Sequence, residues 1–231
     1  MADGRVLTRR AFVAAAVGSL AACNSERPRT GLLGVAERWN ERVQRLLFDP
    51  QRLAPELPAS ATTKPGELPA YYISPGPPPT PPGWRLRVGG LVATPSVLTL
   101  EELQRMPRTD VRVRHHCVEG WSAVASWHGV RLRDLAERVG AAREARYVEF
   151  RSFDSGYYSS WDRQSAFHPQ TILAYGMNGE PLSPSYGAPL RLYGAVKLGY
   201  KMVKYLDELK FLPTATGGYW EDRGYEWFAG V

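Results

Sequence analysis

The stretch "VRVRHHCVEGWSAVASWHGVRLRDL", residues 111–135, carries the reading of the fold. Val111, Val113 and His115 alternate with Arg112, Arg114 and His116, which is the period of a half-buried β-strand. At the end of that run stands Cys117, the one cysteine beyond Cys23. Adjacent strand residues face opposite sides, so His115 and Cys117 share a side and His116 does not. Glu119-Gly120 follows, and residues 131–138 read as a short helix.

Outward from this stretch the strand signal recurs. Residues 84–91 (WRLRVGGL), 145–153 (ARYVEFRSF) and 189–196 (PLRLYGAV) alternate or are rich in β-formers. Short helices are expected at 99–105, where Thr99 caps Glu101-Glu102, and at 169–175. "GMNGEPL", 176–182, holds an Asn-Gly turn. Nearer the N-terminus, residues 31–48 place apolar groups on one face of a helix, stopped by Asp49-Pro50. Residues 50–83 are rich in proline and cannot form an inner strand. With Tyr71-Tyr72-Ile73 near its end, this arm is expected to lie across the folded body. The architecture reads as α+β, dominated by mixed or antiparallel sheet with short helices, in one domain and without internal repeats.

The first 23 residues read as an export leader. Arg9-Arg10 precedes an apolar run, 11–22, which is shorter than the ~20 residues that cross a bilayer. The paired arginines resemble the twin-arginine signal, which exports folded proteins. Leu20-Ala21-Ala22-Cys23 resembles a lipobox that would acylate Cys23. The expected location is the periplasm or cell envelope, with a lipid anchor if Cys23 is acylated. Net charge is +6, and removing Arg5, Arg9, Arg10 and Asp3 with the leader leaves +4. That mild, scattered charge, without a nucleic-acid motif, argues against nucleic acid as a partner.

An exported chain with one remaining thiol needs a reason for it. Residue chemistry alone leaves three options for Cys117: a metal ligand beside His115, a Cys-His nucleophile, or a small buried core residue. Zinc is poorly served, since His128 and His168 lack pairing.

The wider pattern resembles the sulfite oxidase superfamily of molybdopterin enzymes. "HCVEGWSAVASWHGVRLRDL" is similar to its cysteine loop. "YVEFRSFDSGYY" (147–158), "HPQTILAYGMNGEPLSPSYGAPLRLYGAVKLGYKMVKYL" (168–206) and "GYWEDRGY" (218–225) follow in the family's order. The nearest branch is the exported bacterial one that includes periplasmic methionine sulfoxide reductases. The resemblance implies molybdenum-molybdopterin as cofactor, with Cys117 as thiolate ligand to the metal. A soft thiolate suits that role, and ligation keeps it deprotonated. It also implies loading before export, in keeping with the twin-arginine leader. The chain then divides into the leader 1–23, a helix and Pro-rich arm wrapping the core over 24–83, and a molybdopterin-binding catalytic domain over 84–231.

The same resemblance assigns further positions. Arg191 matches a pterin-binding arginine, and Met202-Val203-Lys204 matches a segment meeting the cofactor phosphate. Tyr72-Ile73 falls on a Tyr-Glu pair of the arm, and Ser152 keeps a hydroxyl where the family has threonine. This chain departs from the pattern at Pro69, Ile73 and Tyr186, where the family has asparagine, glutamate, and asparagine or histidine. His115, His116, Glu119, Trp121, Trp127 and His128 read as groups packing around the ligands, not as ligands. Arg114 and Arg151 alternate away from the metal side, which leaves Arg163 as the arginine free to approach the pocket. Tyr157, Tyr158, Trp161 and Tyr186 are expected to wall that pocket. The resulting expectation is a two-electron oxygen-atom transferase. It reduces a sulfoxide or N-oxide, small or protein-bound, as a monomer served by a separate haem- or quinone-linked membrane protein. The alternatives are a sulfite dehydrogenase and a non-catalytic exported binding lipoprotein that keeps the fold.

Overall fold

Alternation and burial sort the chain into two five-stranded sheets. The computed structural model describes residues 31–231 apart from 65 and 155, and apart from the side chains of 32 and 33. The leader, with Arg9-Arg10 and Cys23, lies outside the described residues. The first sheet has the order β2 (Ser96–Leu98), β1 (Leu86–Gly90), β10 (Leu206–Leu212), β5 (Tyr147–Ser152), β6 (Tyr158–Asp162). Only β1 and β10 run parallel in it. The second sheet is antiparallel: β3 (Arg108–His116), β4 (Ser122–Arg131), β7 (Thr171–Met177) and β8 (Glu180–Pro181), with β9 (Arg191–Gly194) also on β7. The family expectation of a mixed and antiparallel α+β fold is what the chain forms.

Helices are few and locally explained. α1 spans Gly31–Leu47. α2, Leu100–Gln104, starts in a capping box: Thr99 accepts from the Glu102 amide while the Glu102 carboxylate accepts from the Thr99 amide. α3 spans Leu132–Arg138, and α4 spans Arg163–Ala166 with Asp162 as its cap. The helix expected at 169–175 is instead strand β7. Every residue of β7 is buried, and the strand is an inner one, with β4 on one edge and β8 and β9 on the other. A strand buried on both faces shows no alternation to read. The same cause hides β4, whose interior is buried throughout apart from the half-buried Ser126. The Asn-Gly turn does close β7 onto β8: Asn178 has φ 52° and Gly179 φ 87°, the left-handed pair such a hairpin requires.

The arm lies across this body through backbone pairing. Leu57 N donates to Arg112 O at 2.9 Å. Thr63 N donates to Val124 O at 2.9 Å, and Val124 N returns a bond to Thr63 Oγ1 at 2.8 Å. Gln170 clamps Ala54 by accepting from its amide and donating to its carbonyl.

Candidate active site

The β3–β4 hairpin brings Cys117 to its tip. Gly120 N donates to Cys117 O at 3.1 Å and Cys117 N to Trp121 O at 3.0 Å, so the turn holds the cysteine in a fixed place. Gly120, at φ 89°, supplies the left-handed residue this closure needs. The thiol faces a cavity of about 180 Å³ where the two sheets meet. Burial, and beyond it the neighbouring Glu119 carboxylate, push the thiol pKa up. Glu119 lies 3.7 Å from the sulfur and is anchored by the Trp121 indole at 2.9 Å.

Two cations share the cavity; neither is in a salt bridge among the described residues, although the Asp154 carboxylate, also in the lining, acts on Lys204 from a distance. Arg191, at the start of β9, is buried; its guanidinium donates to Tyr186 O at 3.0 Å and Met202 O at 3.4 Å, and lies over the Trp127 ring at 4.7 Å. Burial pulls its pKa down to about 10. Lys204 donates to Tyr71 O at 2.5 Å and Ser185 O at 3.2 Å, beside the Tyr72 ring. Burial first, then the like charge of Arg191, pulls its pKa down to about 7. Unpaired charges removed from water are costly unless a counter-charge arrives.

His115 completes one wall. Burial, then Arg191 and His116, hold its pKa down to about 3, so the imidazole is neutral, and its Nδ1 is buried without a partner. A Cβ at Gly199 would come within 2.8 Å of its Nε2, so glycine lets the 199–202 backbone close on the ring. Tyr157 donates to Tyr200 O at 2.6 Å and Tyr186 to Leu68 O at 2.9 Å. Burial raises the pKa of each phenol, so both remain protonated donors.

The residues singled out in the sequence fall on three sides of this picture. Cys117, Tyr72, Ile73, Pro69, Ser152, Tyr186, Arg191, Met202 and Lys204 all line the cavity, as do His115, Glu119, Trp121, Trp127 and Tyr157. Val203 does not; its side chain is fully buried in the core and its carbonyl accepts from Leu192 N. The Met202 amide already donates to Gly199 O. Arg163 is a correction: it starts α4, donates to the carbonyls of Ala142 and Ala145 at 2.7 and 2.9 Å, and stacks on Phe167. The Asp162 cap turns the chain into a helix there, which carries the side chain away from the cavity. Tyr158 and Trp161 are also absent from the wall. Tyr158 donates to Asp222, and Trp161 sits in the core, donating to Lys201 O. Arg114 bonds Ser122 and Arg151 pairs with Glu149, both outside the cavity. Asp154, Tyr200, Trp220 and Tyr225 join the lining unannounced. The two-residue step from Ser152 to Asp154 was the available signal for Asp154, the 168–206 motif for Tyr200, and the aromatic run of the tail for Trp220 and Tyr225. No cluster of three or more histidine, cysteine, aspartate or glutamate side chains that could hold a metal occurs among the described residues.

The donor set therefore asks for a ligand carrying negative charge toward Arg191 and Lys204 and a soft metal toward one thiolate. Residues 75–220, more than half of the chain, match the oxidoreductase molybdopterin binding domain, and the chain belongs to that family. It is a molybdopterin oxidoreductase of the sulfite oxidase type, with molybdenum-molybdopterin as cofactor. Among its relatives, an Azospira oryzae protein with the provisional name protein-methionine-sulfoxide reductase subunit YedZ1 is 40% identical over 98% of this chain and 87% of its own length. The protein-methionine-sulfoxide reductase catalytic subunit MsrP of Xanthomonas axonopodis is 35% identical over 60% of this chain, which spans 48% of that relative. The sulfane dehydrogenase SoxCD from Paracoccus pantotrophus superposes with a TM-score of 0.55 at 26% identity, covering 58% of this chain and 39% of that one.

Proposed function

We propose that this chain is the catalytic subunit of an exported molybdenum enzyme that reduces a neutral oxo substrate of the sulfoxide or N-oxide class. When bound, the cofactor supplies two-electron oxygen-atom transfer, and the protein's task is to hold and orient it. In this reading Cys117 holds the metal. Arg191 and Lys204 meet the anionic and polar edges of the pterin and its phosphate, with Met202 beside them. Tyr72, Ile73 and Ser152 form the wall against which the group lies, and Tyr186 fastens the arm over it through Leu68. Tyr157 and Tyr186 are held protonated and bonded to carbonyls, so they shape the cavity and exclude water without acting as bases.

The observation that carries the substrate class is the cation count. Arg191 and Lys204 are the only arginine and lysine lining the cavity among the described residues. With both engaged by the cofactor, and with Arg163 bonded to carbonyls elsewhere, none is left for an anionic substrate such as sulfite. A neutral sulfoxide needs none. Its reduction consumes two electrons and two protons and releases water. The words "subunit" and "catalytic subunit" in the relatives' names support delivery of those electrons by a separate chain. The leader supports export by the twin-arginine route, with acylation of Cys23. Purified protein should carry one molybdenum per chain and reduce a sulfoxide with reduced viologen dye, while sulfite oxidation with ferricyanide should be slow or absent. Rapid, saturable sulfite oxidation would reverse the assignment to a sulfite dehydrogenase, and protein without molybdenum that binds but converts nothing would make it a binding lipoprotein.

A further inference from the structure

Over its described side chains from Gly34 onward, helix α1 is inside out. At about 100° per residue, Gly34, Glu37, Glu41 and Gln44 fall on one side and Val35, Trp39 and Leu46 on the other. The polar side faces the protein. Gly34 is buried and Glu37, Glu41 and Gln44 are half-buried. Gln44 donates to Glu226 at 2.9 Å and accepts from the Gly230 amide at 3.1 Å. The Arg45 guanidinium, paired with Glu41, lies 4.8 Å over the Trp227 ring. The apolar side faces water: Val35 is 53% exposed, Trp39 65%, Leu46 84% and Leu47 76%. Leu46, Leu47 and Trp39 are the three most exposed large apolar residues described, and they lie on one helix with Val35. Arg38 and Arg42 are exposed along the same side. Both acids of the helix point inward.

We propose that α1 docks this protein flat on an anionic lipid surface, with Val35, Trp39 and Leu46 in the headgroup boundary and Arg38 and Arg42 against the lipid charges. A Trp/Leu stripe flanked by arginine is the chemistry of an interfacial helix. No described helix is long and apolar enough to cross a membrane, so the proposal places α1 in the plane of the surface and not across it. Chain length argues for lipid over a protein partner. Only residues 24–30 separate Cys23 and the apolar run 11–22 from Gly31. That many residues reach roughly 23–25 Å at full extension. A membrane holding the leader or an acylated Cys23 therefore holds the stripe within reach of the same surface. The proposal concerns attachment alone and is independent of the cavity's chemistry.

The test is flotation of the full-length chain carrying Cys23→Ala, which cannot be acylated, with vesicles of phosphatidylethanolamine containing about one third phosphatidylglycerol. Binding is expected at about 0.1 M salt and should weaken toward about 1 M as the arginine contacts are screened. Adding Trp39→Asp and Leu46→Asp should lower partitioning by about tenfold or more. The leader is common to both proteins, so the difference belongs to α1. An unchanged unfolding midpoint separates lost docking from lost folding. Should the acidic pair fail to fold, Trp39→Gln with Leu46→Gln carries the same expectation. Equal partitioning of parent and variants overturns the proposal. So does an absence of vesicle binding; Trp39-dependent capture of a membrane protein would then make the stripe a protein interface.

Discussion

Cys117 holds a thiol that burial and Glu119 push toward the protonated form. Ligation reverses this, because a bound cation keeps a coordinating sulfur deprotonated. A serine hydroxyl is a harder ligand with a far higher pKa. Cys117→Ser should therefore cost more than the roughly 10–100-fold that loss of an outer partner costs a metal site. On the proposed assignment, Arg191 and Lys204 should keep the pterin bound; pterin released on denaturation and molybdenum per chain measure the two effects separately. Lys204 gives a pH dependence with a definite sign. Its folded pKa of about 7 lies below its ordinary 10.5, so over that window the unfolded chain binds more protons. The stability of the cofactor-free chain should rise with pH across it. An anion beside the ammonium restores the charge. Sulfate, whose own charge is constant there, should bind cofactor-free protein evenly below about pH 7 and more weakly above it, by up to about tenfold per pH unit. Calorimetric titration measures this, and Lys204→Arg should flatten the profile. A slope surviving in Lys204→Arg would place the titrating group elsewhere.

At the scale of elements, the arm depends on few bonds. The Tyr186 hydroxyl holds Leu68 O next to the cavity. Tyr186→Phe keeps the ring packing and removes that bond, so it should cost about 0.5–1.5 kcal/mol, read as a lower urea midpoint. It should also hasten proteolysis within residues 58–70 more than elsewhere. Elements differ in how plainly the sequence announces them, and burial decides it. β1, β3 and β5 have one face toward water somewhere along their length, so they alternate and are legible. β4 and β7 are buried on both faces, and Ser122–Arg131 and Thr171–Met177 lose the period that would reveal them. α1 is legible as a helix, yet its periodicity points the wrong way, because an apolar stripe announces burial without saying against what. Arg163 fails for a local reason: the Asp162 cap creates a four-residue helix too short to leave a periodic trace.

At the scale of the molecule, the site was legible only through the order of its motifs. Tyr72, Cys117, Ser152, Arg191 and Lys204 are spread over more than half of the chain, and no local period joins them. Family resemblance does so, because each motif marks one wall. The same dispersion has a consequence for maturation. The arm, the β3–β4 hairpin, the end of β5 and the 186–204 region form one cavity only when both sheets have paired, so a cofactor that meets all of them meets a folded chain. Binding to the folded state alone stabilises it, by about 4 kcal/mol at a thousandfold excess over the dissociation constant. The loaded protein is then poorly suited to any export route that requires unfolding. If loading precedes export, Arg9-Arg10 must direct the chain to a route for folded proteins. Replacing both arginines with lysine should leave the molybdenum-containing, folded protein in the cytoplasm, with the wild type recovered from the cell envelope. Fractionation followed by metal analysis of each compartment reads both quantities at once. Lysine-substituted protein exported as well as wild type, with its molybdenum, would remove the twin-arginine leader from this account while leaving the cavity and its ligands intact.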